Sequence, residues 1–400
     1  MQLFATVAAA LALFAAPIFA APAASLHTVE KFAGATKARS YIVKLRDGVA
    51  KDAHLEWLAA NHGNTSTVTH AEWESSVLNG FAGTLETDAL NALRANPDVE
   101  YITEDGIFTI NAAVTQTDAP WGLQRISQAA ALSSTSTSAL TYTYTYDSSA
   151  GSGVDIYIVD TGIFTNHSEF AGRASWGATF GGYADADGNG HGTHVSGTAA
   201  GVTYGVAKKA SLIAVKVLSD AGSGTVSDIV SGLNFVSQQA AITGRPSIAS
   251  LSLGGGASTA LDNAVTALTQ NGIHVTVAAG NNNVNAVNTS PARAAAAVTV
   301  GASTIADARA SFSNFGPVVD IFAPGQNVIS SWIGSTTATN NISGTSMATP
   351  HIAGLIATLI SRDGNSSPAA ITTQLQALST KGVLTGIPSG TVNDLALNEV

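Results

Sequence analysis

The fold is decided by three successive runs: Ile248-Ala-Ser-Leu-Ser-Leu253, then Ser258-Thr-Ala-Leu-Asp-Asn-Ala-Val-Thr-Ala-Leu-Thr-Gln-Asn-Gly272, then His274-Val-Thr-Val-Ala278. The first and last are short and apolar, as strands buried on both faces are. The middle run has a Ser cap, apolar Leu261, Val265 and Leu268 on one helical face, and a glycine stop. Further apolar, β-branched runs at residues 154–159, 212–217 and 298–300 repeat the strand signal, with helical segments between them. Strands interleaved with helices imply an α/β fold, a parallel sheet covered on both faces. In such sheets functional groups gather beyond the carboxyl ends of the strands. No internal repeat is visible.

Ahead of this pattern, residues of about 38–110 read as a smaller α+β unit. Residues 40–45 alternate as a strand, 53–61 look helical, 78–85 are extended, 87–95 form a short helix and 99–102 another strand. The polar residues 111–118 read as a processing linker. At the N-terminus, residues 3–20 are apolar and end in Ile18-Phe-Ala-Ala21, with small residues where signal peptidase cuts. The stretch is short for a membrane anchor and no basic cluster follows it, so residues 1–20 are read as a signal peptide and the product as secreted, extracellular. Asn64, Asn166, Asn288, Asn341 and Asn365 head Asn-x-Ser/Thr sequons that accept glycans in a glycosylating host.

With 45% hydrophobic residues, the 400-residue chain can bury a large core, and two folded units plus a processed segment suit its length. Only 11% of residues are charged and the net charge is −10. No basic patch offers a phosphate-binding surface, which argues against a nucleic-acid partner. Cysteine is absent, which excludes a cysteine nucleophile, a thiolate zinc site and any disulfide framework.

Three segments place a reactive side chain at an element boundary. Val154-Asp-Ile-Tyr-Ile-Val-Asp160-Thr-Gly ends a buried strand with a carboxylate. Alone, that is most simply a turn aspartate. Asp185-Ala-Asp187-Gly-Asn189-Gly-His191-Gly-Thr-His194 opens like a calcium loop, but position 12 of such a loop would be Ser196 and not Glu. His191 and His194 could also form a metal pair, yet no suitably placed Glu follows. A base at a helix start, flanked by glycines, fits better. Gly344-Thr-Ser346-Met-Ala-Thr-Pro350 is the third segment. Pro350 suits the first turn of a helix, which places Ser346 at a helix N-terminus. A serine hydroxyl becomes a nucleophile when an imidazole removes its proton and a carboxylate orients that imidazole. The chain order Asp160, His191, Ser346 is that of subtilisin and not of chymotrypsin or the α/β-hydrolases.

In combination these motifs make the chain resemble the proteinase K branch of the subtilisin-like serine proteases, most closely the cysteine-free fungal alkaline proteases of the oryzin type. The resemblance spans a signal peptide (1–20), an inhibitory propeptide (21–113) and a catalytic domain (114–400). It implies a broad-specificity endopeptidase made as an autoprocessed zymogen, with an apolar or aromatic residue preferred before the cut. The strand at residues 101–109 would feed a maturation junction between about Asn111 and Val114 into the active site. Asn281, in Val277-Ala-Ala-Gly280-Asn281, matches the oxyanion-hole asparagine. Gly222, Ser223 and Gly224 on one side, Ser252, Leu253, Gly254 and Gly255 on the other, with Ala279 and Gly280, match the edges that hold substrate. The partners implied are protein and peptide substrates and the propeptide as inhibitor, with neither nucleic acid nor membrane, and a monomer is expected.

Two departures qualify the resemblance. Relatives often carry disulfides, which this chain cannot. They also bind structural calcium: Asp320, with the carbonyls of Ala295 and Ala297, matches the stronger site, whereas the acidic position of the weaker one is Val383. One calcium and not two is expected. The sequence leaves two other functional classes open, a serine esterase of another fold and a decayed protease acting as a binding protein. Endoproteolytic fragments from casein would exclude the first, and labelling by a sulfonyl fluoride the second.

Overall fold

The computed structural model describes residues 26–32, 36–62, 68–73, 75–107 and 112–399. The signal peptide (1–20), the sequon asparagine Asn64 and Asn111 of the linker lie outside them. The chain divides into two compact units, Met1–Glu30 with Ala38–Glu104, and Lys31–Lys37 with Asp105–Val400.

The smaller unit is α+β, as its pattern predicts. A five-stranded sheet has the order Val29–Glu30, Val99–Gly106, Thr36–Leu45, Gly80–Thr84, Val68–Glu72. Helices Lys51–His62 and Thr87–Arg94 accompany it. Val43, Leu45, Phe81, Leu93, Val99 and Ile102 form its core. The last strand ends at Gly106, and residues 108–111 lie outside the description.

The larger unit carries the alternating pattern. Its central elements are β1 (Asp155–Asp160), β2 (Ala174–Thr179), α1 (His191–Ala200), β3 (Ser211–Lys216), α2 (Val226–Thr243), β4 (Ser247–Leu251), α3 (Thr259–Gln270), β5 (His274–Ala278), β6 (Val298–Ser303), β7 (Ile321–Pro324), β8 (Val328–Ser331), β9 (Thr339–Ile342), α4 (Thr345–Asp363), β10 (Thr380–Lys381) and β11 (Asp394–Leu395). The nine-stranded sheet has the order β10-β11-β7-β6-β5-β4-β1-β3-β2. All its pairings are parallel except the edge pair β10–β11. β8 and β9 form a separate antiparallel hairpin.

Alternation along the strands sorts the two faces. Ile156 and Ile158 of β1 join Leu212, Ala214, α1 and α4 in one layer. Tyr157 and Val159 join Val215, Val277, α2 and α3 in the other. A strand between two helical layers is therefore apolar on both faces, as Ile156 to Val159 are, which is why it reads as a continuous run. α3 has the expected caps, with Ser258 accepting from Leu261 N and the chain turning at Gly272, φ +80°.

Strand order reverses at β1: β3 and β2 lie on one side of it, β4 to β7 on the other. The loops leaving β1, β4 and β5 thus open a crevice at the carboxyl end of the sheet.

Candidate active site

Asp160 is the last residue of β1 and its side chain is fully buried. His191 is the first residue of α1, and its imidazole stays a quarter exposed. Its Nδ1 stands 2.8 Å from Asp160 Oδ1 and 3.0 Å from Oδ2. Burial pulls the imidazole down, but the Asp160 carboxylate, through charge and hydrogen bond, outweighs it with help from Asp187, so the group titrates above 6.5. With Nδ1 held by a carboxylate, the other ring nitrogen is the one available to take a proton.

Ser346 is the second residue of α4, where the backbone N–H has no intrahelical partner. The sequence puts Pro350 in the first turn; the structure puts it sixth, inside a helix that begins at Thr345. The reason lies in the hydrogen bonds. A residue at position 350 would normally donate to the carbonyl of Ser346, and proline has no N–H to do so. That carbonyl accepts from Ser252 Oγ instead, at 2.8 Å, while Ser346 Oγ donates to the carbonyl of Ser252 at 3.1 Å. The missing donor of Pro350 therefore ties the helix that carries Ser346 to the end of β4.

Asn281 comes three residues after β5. Its Oδ1 accepts from Thr345 N at 2.8 Å and Thr345 Oγ1 at 2.9 Å, so Nδ2 is the group left for a ligand. A Cβ placed on Gly344 would lie 3.5 Å from that Nδ2 and 3.6 Å from Ser346 N. Two donors thus flank one small space beside the serine, the arrangement that stabilises a developing oxyanion.

His191, Ser346, Thr345 and Asn281 line one cavity of about 1150 Å³ with Gly222, Ser223, Gly224, Ser252, Leu253, Gly254, Gly255 and Gly280. Leu218, Val226, Ile229, Leu261, Ala278 and Val284 give it an apolar wall. Ala279 is the one expected cleft residue that does not line it. Side chains alternate after β5, so Ala278 and Gly280 face the cavity while Ala279 is buried with Val319 and Phe322. Gly280 has φ +104°, and a Cβ there would lie 2.3 Å from Asn314 Nδ2, so a larger residue has no room. Asn314 itself bonds the carbonyl of Ala279 and the N–H groups of Asn282 and Val284, shaping the loop that presents Asn281.

Neither Asn314 nor Thr345 is singled out by the sequence, because a lone polar residue in a turn carries no signal of what it will hold. Asp187 is legible only as a calcium-loop mimic. In the structure its carboxylate accepts from Thr161 Oγ1, Asn189 N, Gly190 N, Thr193 N and Thr193 Oγ1. Its capacity is filled by donors, which no cation site could use. His194 is no metal partner either: its Nε2 meets the carbonyls of Val328 and Asn340, on β8 and β9, at 3.0 and 3.2 Å.

Asp320 is held across from Thr299, two residues after Ala297, and its Oδ2 accepts from Thr299 N at 2.7 Å. Burial raises its carboxyl to about 6 against that single N–H. A desolvated carboxylate with so little compensation suits an oxygen-seeking cation. Among the described residues no three His, Cys, Asp or Glu cluster to hold a metal, so a cation there would rely on Asp320 with backbone carbonyls and water.

An Asp–His pair, a serine at a helix N-terminus and two converging donors are the apparatus of acyl transfer by a serine hydrolase. Residues 151–389 match the model of the subtilase family and residues 40–111 that of the peptidase inhibitor I9. The chain is 48% identical over 364 residues to a cuticle-degrading protease of Metarhizium anisopliae, covering 90% of both chains. It is 47% identical to the subtilisin-like serine protease AsES of Sarocladium strictum, covering 90% of this chain and 89% of that one. A crystal structure of a cold adapted subtilisin-like serine proteinase superposes with a TM-score of 0.65 at 43% identity, covering 71% of this chain and 99% of that one.

The chain belongs to the subtilase family and is a subtilisin-like serine protease with an I9 propeptide.

Proposed function

We propose that the protein is a secreted, broad-specificity endopeptidase made as an autoprocessed zymogen, with Asp160, His191 and Ser346 as its triad. The observation that carries this is the Asp160–His191 pair opening on the same cavity as Ser346. His191 takes the proton of Ser346 Oγ as that oxygen bonds to the peptide carbonyl carbon. Ser346 N–H and Asn281 Nδ2 hold the resulting oxyanion. His191 then returns the proton to the departing amine, and water repeats the sequence to free the acyl group. Asp160 holds the imidazole in one tautomer and stabilises its charged form throughout. Before the first step the serine hydroxyl must swing from the carbonyl of Ser252 towards His191.

Glycines at 222, 224, 254 and 255 allow a substrate backbone to approach as an added strand, so affinity depends little on its side chains. The apolar wall favours an apolar or aromatic residue before the cut. Residues 1–20 direct secretion; among the described residues, which do not include them, no helix is long and apolar enough to cross a membrane. Residues 21–113 inhibit until cleaved, leaving 114–400 as the working enzyme. A single structural calcium at Asp320, with carbonyls of Ala295 and Ala297, stabilises the domain and takes no part in the chemistry.

The test is the Ser346→Ala precursor, purified alone. It should stay intact and inactive while the wild-type chain gains a new N-terminus between Asn111 and Val114. Normal processing of the variant with no other protease present would refute self-cleavage.

A further inference from the structure

The first four N–H groups of a helix lack partners inside it and must find them elsewhere. In α1 the cap residue is Gly190, which has no side chain to offer, and φ +101° holds the chain in a tight turn there. The loop before it and Thr161 at the end of β1 supply every partner. Asp187 takes Gly190 N at 2.9 Å and Thr193 N at 3.0 Å, Asn189 Oδ1 takes His191 N at 3.2 Å, and Thr161 Oγ1 takes Gly192 N at 2.9 Å.

The same carboxylate reaches across to β1. Thr161, the residue after Asp160, donates its hydroxyl to Asp187 Oδ1 at 2.9 Å while accepting from Gly192. Its backbone N–H donates to Asp160 Oδ1 at 2.7 Å, and its carbonyl accepts from the buried Lys216 Nζ at 2.6 Å. Asp160 and His191 come from different elements, and beside their direct contact Asp187 with Thr161 forms a continuous bridge of hydrogen bonds between those elements. Space enforces the fit, since a Cβ on Gly192 would lie 2.0 Å from the carbonyl oxygen of Gly162.

We propose that Asp187 is a positioning residue for the proteolytic reaction: through Thr161 and the first turn of α1 it sets His191 against Asp160, and its charge adds to the field that favours the imidazolium. This rests on the triad reading above. The charged and titratable groups acting on His191 are Asp160 on β1, Asp187 in the loop and His194 on α1; Lys216 on β3 reaches the bridge at the carbonyl of Thr161 and is paired with Asp220. Two of them are the carboxylates whose charges raise the imidazole.

Two variants separate geometry from charge, read as kcat, KM and the acid limb of kcat/KM on a peptide substrate. Thr161→Val cuts the bridge and leaves both carboxylates. It should lower kcat by about tenfold or more with KM little changed and the acid limb in place, and Thr161→Ser should restore kcat. Asp187→Asn should move the acid limb to lower pH, because one negative charge is lost, in addition to lowering kcat. Labelling of Ser346 by a sulfonyl fluoride in the wild-type enzyme establishes the triad independently; a failure there overturns the triad reading and this inference with it. With Ser346 labelled, full kcat in Thr161→Val, or an acid limb unmoved in Asp187→Asn, overturns the inference alone. If Asp187→Asn does not mature, Thr161→Val and its serine rescue decide.

Discussion

His191 and His194 stand one turn apart on α1, yet the two turns they occupy make them different chemical groups. The first turn faces the cleft: a buried carboxylate holds Nδ1 of His191, and the ring titrates above its ordinary value. The second faces the β8–β9 hairpin. There burial pulls His194 down to about 3, neighbouring His191 adds repulsion, and the carbonyls of Val328 and Asn340 offset only part of this. Its Nδ1 has no hydrogen-bond partner, so a second proton would enter a buried place with nothing to receive it. A carboxylate's full negative charge held against one nitrogen suits a ring to the proposed proton shuttle. Carbonyl dipoles make a neutral donor that fastens one element to another.

The contrast is broken most directly by deleting each ring. His191→Ala, cleaved in trans so that the mature form can be assayed, should lose about 10⁴- to 10⁶-fold in kcat. His194→Ala should lose less than about tenfold. Comparable losses from the two would erase the distinction. Next in size comes the proposed oxyanion donor: Asn281→Leu should cost about 10²- to 10³-fold in kcat with KM nearly unchanged.

Stability should show the reverse ranking. Removing His194 leaves the buried carbonyl of Val328 and the half-buried one of Asn340 without this donor, a cost of about 1–3 kcal/mol in denaturant unfolding of the inactive Ser346→Ala chain. The pH dependence carries the sign. Between 6.5 and about 3 the unfolded chain binds a proton at His194 that the folded one refuses, so this group makes stability fall as pH drops through that window. His191, with its raised value, contributes stability that is fully present below 6.5 and is lost as pH rises through its folded value. His194→Ala should therefore flatten the acid-side fall in Tm, whereas activity should fail on the acid side with a midpoint above 6.5. The smallest effect is remote from both histidines: a chelator should lower Tm by a few degrees, and Asp320→Ala should remove that response.

Much of this was legible beforehand because the chemistry sits where elements end. Asp160, His191 and Ser346 each close or open a strand or helix whose apolar pattern is plain, and the cap and stop of α3 are written in Ser258 and Gly272. What could not be read are bonds between distant segments. Pro350 looks like a helix start because proline favours one; only the hydroxyl of Ser252 explains why it is tolerated a turn and a half inside. Asp187 resembles a cation ligand until the five donors around it are seen. By sequence Ala279 belongs in the cleft with its neighbours, but alternation sends it inward.

The central claim, that Ser346 is the nucleophile activated by His191, is tested most directly by treating the mature enzyme with a sulfonyl fluoride and mapping the adduct by peptide mass spectrometry. One adduct on the Ser346 peptide, formed in step with loss of activity and absent from His191→Ala, is the expected result. An adduct on another residue, or full activity with Ser346 modified, would contradict it.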